Sequence, residues 1–417
     1  MGCEVSEIKH MYSIFNSLGS NYSLKFITTA LWSIFFSKKR DLLDLESYLA
    51  QTYGGRACTV YKGRDAIEVA LTTLLKKDSQ VLTQAFSCYA IEEGILRAGM
   101  QPVYVDIGPD STNLTVATLD QALKKNPKAQ AVIIQHSLGI PAQSIAIADW
   151  CRKHGLLLLE DLAQGVGGVS QDGTLLGTYA DAVIFSFGKD KILDAVAGGA
   201  VVFKSLDTVG NDRLNQLEKS ITTTSFHIVY ADLLYPDITS FIRKTHHLGL
   251  GKVVFKVCKA LGLLGSPIQS STSSITRMHP AYAKLVLLQI KDLQTQLSNR
   301  KKRAQEYLEQ LTHGPVTCLI DESVLQCASN LRFSIRCRDL DHVGELVTAL
   351  KRHRIYVSDR WYRSAVDCGS FACKTAYQKA SCPHAELLAT QILNLPTHRA
   401  MTTKTVQKIC KIILEHS

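Results

Sequence analysis

The stretch Phe185–Phe203 reads FSFGKDKILDAVAGGAVVF. An apolar run ends at Ser186-Phe187, two lysines follow (Lys189 and Lys191), and a glycine pair, Gly198-Gly199, leads into a second apolar run. Short continuous apolar runs bounded by glycine and charge read as strands buried on both faces. The lysines therefore stand where a buried strand opens into its loop. A lysine there loses part of its hydration, which lowers its pKa and makes its amine a usable nucleophile, able to condense with an aldehyde.

The same kind of run recurs at Cys58–Tyr61, Gln80–Phe86, Pro102–Asp106, Ala131–His136 and Leu156–Asp161, besides Ala182–Phe187 and Ala200–Phe203. Helical patterns such as GRDAIEVALTTLLKK, AIEEGILRAG and SIAIADWCRKHG lie between them. Alternation of this sort predicts an α/β fold: a mostly parallel seven-stranded sheet between helices, with ligands bound beyond the carboxyl ends of the strands. The expected organisation is an N-terminal helical arm over 1–45, a large domain over 46–215, an insertion over 216–275, and a long helix from Ala281 to about Leu311 leading into a small α+β domain within 276–417. Strands near Leu331–Arg336 and Arg354–Ser358 and a last helix near Thr403–Glu415 belong to the small domain.

The chain has 417 residues, 46% of them hydrophobic, and a net charge of +10, so a large core and anionic partners are expected. No zinc-finger, RNA-binding or basic-zipper signature is present, which turns the charge away from nucleic acid and towards phosphorylated small molecules or a membrane surface. The twelve cysteines lack paired spacing and read as reduced thiols of a cytoplasmic protein. Cys368, Cys373, Cys382 and His384 are too loosely spaced for a zinc site, and no metal ligands are assigned. The opening MGCEVS fits a myristoylation pattern, read here as chance, and is not a signal peptide. YSLKFITTALWSIFFSKKR, residues 22–40, is too short and mixed for a membrane span. In the insertion, Lys252, Lys256 and Lys259 flank Val253, Val257 and Leu261 at helical spacing. This basic amphipathic helix either packs on protein or lies on an anionic membrane through 246–266.

Three features accompany the lysines. LLLLEDLAQG ends an apolar strand with Glu160-Asp161, a carboxylate able to hold a ring nitrogen protonated. YKGRDAIEVAL starts a helix at Gly63, whose free N–H groups suit an anion, with Lys62 and Arg64 adding charge. Ser186, just before Lys189 and Lys191, offers a further hydroxyl. An amine, an acid and an anion cradle are what pyridoxal 5'-phosphate (PLP) requires. A nicotinamide reading of GVGGVS fails because the third glycine and the distant acid are missing.

These segments resemble the DegT/StrS group of PLP-dependent sugar aminotransferases, of fold type I. The resemblance is carried, in order, by FSCYAIEEGILRAGMQPVYVDI, QHSLGIPA, LLLLEDLAQGVGG, SFGKDKILDAVAGGAVVF, TRMHPAYAKLVLLQIKDL and ILNLPTHRAMT. It implies that Lys191, reached by the Ser-Phe-x-x-x-Lys spacing from Ser186, bonds the cofactor. It further implies that Asp161 meets the pyridine nitrogen, Gln164 the ring oxygen and Ser186 the phosphate. The aromatic that stacks on the ring falls near Cys88-Tyr89, and the resemblance leaves the choice between the two open, with Tyr89 carried as a cofactor-binding candidate. The family's Ser-Gly-Thr phosphate turn is Lys62-Gly63-Arg64 here, its Asn that reaches a neighbouring subunit's phosphate is Ile275, two residues before Arg277, and its Gly-Glu-Gly-Gly is Val196-Ala197-Gly198-Gly199. Arg64 and Lys62 are therefore expected to take over part of the phosphate binding.

By the same resemblance, the protein is expected to move an amino group from an amino acid, glutamate by family habit, to a nucleotide-linked keto sugar, as a cytoplasmic homodimer. Two alternatives stand beside this reading: a PLP enzyme acting on a lipid-linked substrate at the inner membrane face, and a non-catalytic regulatory relative.

Overall fold

A computed structural model describes residues 13–264, 274–358, 361–369 and 373–416. The MGCEVS opening and the stretch 265–273 of the insertion lie outside them. Seven strands form the main sheet: β1 (Arg56–Val60), β2 (Gln80–Gln84), β3 (Gln101–Val105), β4 (Ala129–Gln135), β5 (Leu157–Asp161), β6 (Ala182–Ser186) and β7 (Gly199–Phe203). Their order is β1-β7-β6-β5-β4-β2-β3. All seven expected runs are strands of one sheet. It is mixed rather than parallel throughout, because β7 runs antiparallel to both β6 and β1. Two further two-residue strands, Thr276–Arg277 and Thr222–Thr223, extend it beyond β1 to nine strands.

Successive side chains of a strand face opposite sides, and here both sides are apolar. Ala131 and Ile133 of β4 pack in one buried cluster, while Val132 and Ile134 pack in the other. That double burial is why these strands read as unbroken apolar runs. Helices connect and cover them: α1 (Leu24–Phe36), α2 (Lys39–Tyr53), α3 (Gly63–Leu74), α4 (Tyr89–Arg97), α5 (Val116–Lys125), α6 (Ser144–His154) and α7 (Thr208–Ser220). Ile67, Ala70 and Leu71 of α3 and Ile95 of α4 fill one face; Leu45 and Leu49 of α2 and Ile147 of α6 fill the other.

The insertion folds as α8 (Phe226–Thr245) and α9 (Leu250–Ala260). The expected long helix from Ala281 is two helices, α10 (Pro280–Ile290) and α11 (Leu293–Leu311). They part at Asp292, which leaves helical geometry (φ −103°, ψ 3°) to start α11 without a side-chain cap. A second core lies around the antiparallel strands Thr317–Cys318, Arg332–Arg336 and Ile392–Pro396, where Phe333, Ile335, Leu393 and Leu395 meet Tyr307 and Leu311 of α11 and Ile409 and Ile413 of the last helix, Thr403–Glu415. Of the expected Arg354–Ser358 strand only Ile355–Tyr356 is paired, and its partner is Ile14–Phe15 near the N-terminus, a strand inside a segment expected to be helical.

α9 rests on α8 through Gly251, where a Cβ would stand 2.3 Å from the carbonyl oxygen of Ile242. Only Gly251 and Cys258 of α9 are buried; Leu250, Val253 and Val257 point outwards, and Leu261 follows them just past the helix end. Among the described residues no helix is long and apolar enough to cross a membrane.

Candidate active site

A cavity of about 510 Å³ lies beyond the carboxyl ends of the central strands. The topology explains what meets there. β1 and β6 both run antiparallel to the β7 between them, so they point the same way. The chain leaving β1 at Tyr61-Lys62-Gly63 therefore reaches the same edge as Ser186 at the end of β6 and Asp161 at the end of β5. Lys191, Asp161, Gln164, Ser186, Gly63 and Arg64 all line the cavity. Tyr89 does not: it opens α4 half-buried, and its neighbours Cys88 and Ala90 line the wall instead.

Asp161 is 6% exposed, and its Oδ1 accepts a hydrogen bond from the Ala163 amide at 2.8 Å. Burial pushes its carboxyl up, opposed by that hydrogen bond and by the positive charge of Lys191. The fields of Lys191 and Asp161 thus reach each other across one space. The amine of Lys191 lies 5.0 Å from the centroid of the Trp361 ring. Lys189 turns to the Tyr235 ring at 4.0 Å, and burial pushes its ammonium down.

The loop carrying both lysines is fixed by Asp194. This buried carboxylate accepts from the Tyr22 hydroxyl (2.7 Å), the Val196 amide (3.0 Å) and the Asp190 amide (2.7 Å). Its own amide donates to the Gln289 side chain at 3.0 Å. The Asn21 amide side chain donates to the carbonyl of Lys191 at 3.2 Å and accepts from Arg300 at 2.7 Å. Such a satisfied polar network holds the lysine-bearing backbone in one geometry.

Gly63 makes the cradle. A Cβ on it would stand 2.7 Å from Ser186 Cβ and 2.9 Å from Ser186 Oγ, so only a glycine brings the start of α3 against the end of β6. Gly199 does the same one strand over, where a Cβ would meet the Lys62 carbonyl oxygen at 2.4 Å. The N-cap of α3, Lys62, makes no side-chain cap. A helix start on a cavity wall, floored by glycine and edged by a serine hydroxyl, suits a phosphate. Arg64 is 4% exposed and paired with Glu93, an ion pair the sequence did not reveal, so its charge is shared with that carboxylate. Burial and the neighbouring Arg64 charge push the Lys62 ammonium down.

Several lining residues come from places sequence reasoning did not reach. Gln164 accepts from the Leu138 amide at 2.6 Å and donates to the Tyr362 hydroxyl at 3.0 Å, across 198 positions of sequence. His136, in the QHSLG segment, accepts from the Ala142 amide on Nδ1 at 3.1 Å, which assigns the proton of a neutral ring to Nε2, 3.6 Å from Glu160 Oε2. Gly165 leaves room for that ring, since a Cβ there would lie 2.9 Å from its Cδ2. Ile228, Ala231 and Asp232 of α8 also face the cavity. Arg277, beside the family's missing Asn, is paired with Glu46 at 3.3 Å.

One expectation about the cysteines is corrected. Cys368 and Cys373 are joined in a disulfide, their Cα atoms 5.9 Å apart, within bridging reach, so these two are not free thiols. Among the described residues no cluster of His, Cys, Asp or Glu could hold a metal ion.

The chain matches the model of the DegT/DnrJ/EryC1/StrS aminotransferase family over residues 21–220 and 255–414. The gap takes in α8 and the start of α9. It is 35% identical over 146 residues to a pleiotropic regulatory protein of Geobacillus stearothermophilus, covering 35% of this chain and 38% of that protein's length. It is 24% identical over 380 residues to the UDP-2-acetamido-2-deoxy-3-oxo-D-glucuronate aminotransferase of Pseudomonas aeruginosa, covering 89% of each. Its fold is that of a putative sugar aminotransferase of Streptococcus pneumoniae solved in its PMP form, with a TM-score of 0.72, 16% identity, and 97% and 98% of the two chains covered. Fold, cavity and sequence match agree: the chain belongs to the DegT/DnrJ/EryC1/StrS aminotransferase family.

Proposed function

We propose that this protein is a PLP-dependent aminotransferase that takes an amino group from an amino acid, glutamate by family resemblance, and delivers it to a nucleotide-linked keto sugar. The observation that carries the reading is the placement of Lys191 and Asp161 on one cavity, with the Gly63 cradle on the same wall. Bound PLP supplies an aldehyde and an electron-withdrawing ring. Asp161 would sit against the ring nitrogen and favour a proton there. The amide of Gln164, oriented by Leu138 and Tyr362, would meet the ring oxygen. Ser186 and the first amides of α3 hold the phosphate. Lys191 would hold the cofactor through its amine and, with that amine free, would serve as the general base and acid of the transfer. The Pseudomonas relative is named for action on a UDP-linked oxo sugar and the pneumococcal protein holds PMP, which supports acceptor and cofactor alike.

The test is to incubate the protein with PLP, glutamate and a panel of UDP-, GDP- and dTDP-linked keto sugars. The reading expects 2-oxoglutarate and an amino sugar, both lost in Lys191→Ala. Amino transfer that survives Lys191→Ala would overturn it.

We also infer a cytoplasmic homodimer with a peripheral contact at the inner membrane face. The exposed stripe of Leu24, Leu31, Trp32 and Phe35 on α1 supports a protein contact. The outward apolar face of α9, flanked by exposed Lys252, Lys256 and Lys259, supports the membrane contact and keeps a lipid-linked acceptor as the second reading. A non-catalytic role, as the name of the Geobacillus relative suggests, is disfavoured by the complete set of Lys191, Asp161, Gln164 and Ser186.

A further inference from the structure

α8 lies in the stretch that the family model leaves unmatched, yet it forms part of the cavity wall. Ile228, Ala231 and Asp232 are spaced three and four residues apart and share one helix face. Pro236, inside α8, has no N–H to give the carbonyl of Asp232 four residues earlier, so the helix is loosened at the turn that presents this side chain.

Asp232 is the one acid that α8 brings to the cavity. Its Oδ2 accepts from the Tyr61 hydroxyl at 2.9 Å and the Tyr282 hydroxyl at 2.7 Å. Tyr61 follows β1 and Tyr282 is buried in α10, so two separate elements aim donors at this carboxylate and fix its plane. Both phenols are pushed up, by burial first and then by the Asp232 charge, and remain donors. The second oxygen, Oδ1, takes no hydrogen bond among the described residues. Lys62 and Lys189 both lie within the field of Asp232, which therefore offsets their charge at this end of the cavity.

An oriented carboxylate with a free oxygen accepts hydrogen bonds and repels phosphate. We propose that Asp232 is a specificity-determining residue that accepts a hydrogen bond from a hydroxyl of the amino-group acceptor, so that the sugar ring rather than the diphosphate lies under α8. The proposal rests on the aminotransferase reading above and adds the direction in which the acceptor is held.

The test separates the two half-reactions. Wild-type, Asp232→Asn and Asp232→Ala proteins loaded with PLP are followed by cofactor absorbance, first with glutamate and then with UDP-, GDP- and dTDP-linked keto sugars. Losing a hydrogen bond to a charged group predicts that Asp232→Ala lowers kcat/KM for the sugar by about 10- to 100-fold, while the glutamate step stays within about twofold. Asp232→Asn, which keeps an oxygen for the two phenols and guards against misfolding, falls between. An unchanged sugar step in Asp232→Ala, or glutamate and sugar steps falling together in both variants, would overturn the proposal. A wild-type protein that accepts no amino group from glutamate or another amino acid, or passes it to none of these sugars, would instead sink the aminotransferase reading, and the proposal with it.

Discussion

Replacing Gly63 by alanine adds one methyl group where α3 meets β6. That methyl would stand 2.7 Å from Ser186 Cβ and 2.9 Å from Ser186 Oγ. Non-bonded carbon atoms rest at about 3.5–4.0 Å, so the gap must open by nearly 1 Å. The Ser186 hydroxyl can turn away, but its Cβ is fixed to the backbone of a buried strand, so the first turn of α3 has to move. Two effects compete. Alanine in place of glycine in a helix gains up to about 1 kcal/mol. Overpacking costs about 1–3 kcal/mol. The displaced amides also lose about one charge-assisted hydrogen bond to the phosphate, a further 1.5–3 kcal/mol or so, felt only when the cofactor binds. Gly63→Ala is therefore expected to leave the cofactor-free protein about 1 kcal/mol less stable in urea denaturation and to weaken PLP binding about 10- to 100-fold in an absorbance titration. A variant more stable than wild type that binds PLP equally well would refute the cradle, because the propensity gain would then have gone unopposed.

Two further outcomes follow from the geometry. Asp194 is pushed up to about 7, by burial first and then by the nearby Asp190 charge, against about 3.9 in an unfolded chain. With the folded value raised, its protonated form favours folding. This contribution is complete below about pH 4, fades as pH rises through about 7, and amounts to roughly 4 kcal/mol by linkage. Asp194→Asn should accordingly gain stability relative to wild type between pH 4 and 7, measured by denaturant titration at several pH values; a pH-independent difference would contradict the shift. On α9, each lysine near an anionic surface is worth about 1 kcal/mol, so replacing Lys252, Lys256 and Lys259 by glutamine should weaken binding to phosphatidylserine vesicles roughly a hundredfold, with no effect on neutral vesicles. Equal binding of wild type and variant to anionic vesicles in co-sedimentation would count against the membrane contact.

What the sequence made legible depended on locality. The central strands could be read because they are buried on both faces and so run largely apolar, as in Leu156–Leu159 leading into Glu160-Asp161, while the edge strand β3 is only half-buried. Lys191, Asp161, Gln164 and Ser186 line the cavity where the family resemblance, carried by short motifs at strand ends, expected a site. The residues that escaped arrive by long-range packing. Tyr362 sits in an irregular segment with no periodicity, and only the folded chain carries its hydroxyl to Gln164. Asp232 lies in an insertion that matches no family pattern, and nothing local marks it as facing inwards. Arg64 looked like a free phosphate ligand because its partner Glu93 is on a different helix, where no sequence spacing links them. Tyr89 and Cys88 could not be separated on sequence because one residue of helix phase decides which faces the cavity, and that phase is set by where α4 begins. The break at Asp292 was hidden for the opposite reason: the residues on both sides suit helix well enough to read as one run.

The central claim is that Lys191, and not Lys189 or Lys62, is the amine that bonds the cofactor. All three line the same cavity, so the distinction is a real one. Loading the protein with PLP, reducing it with borohydride and sequencing its peptides by mass spectrometry reads the answer directly. The account predicts the cofactor mass on Lys191 alone. The same mass on Lys189 or Lys62, or on no lysine of this cavity, would contradict it.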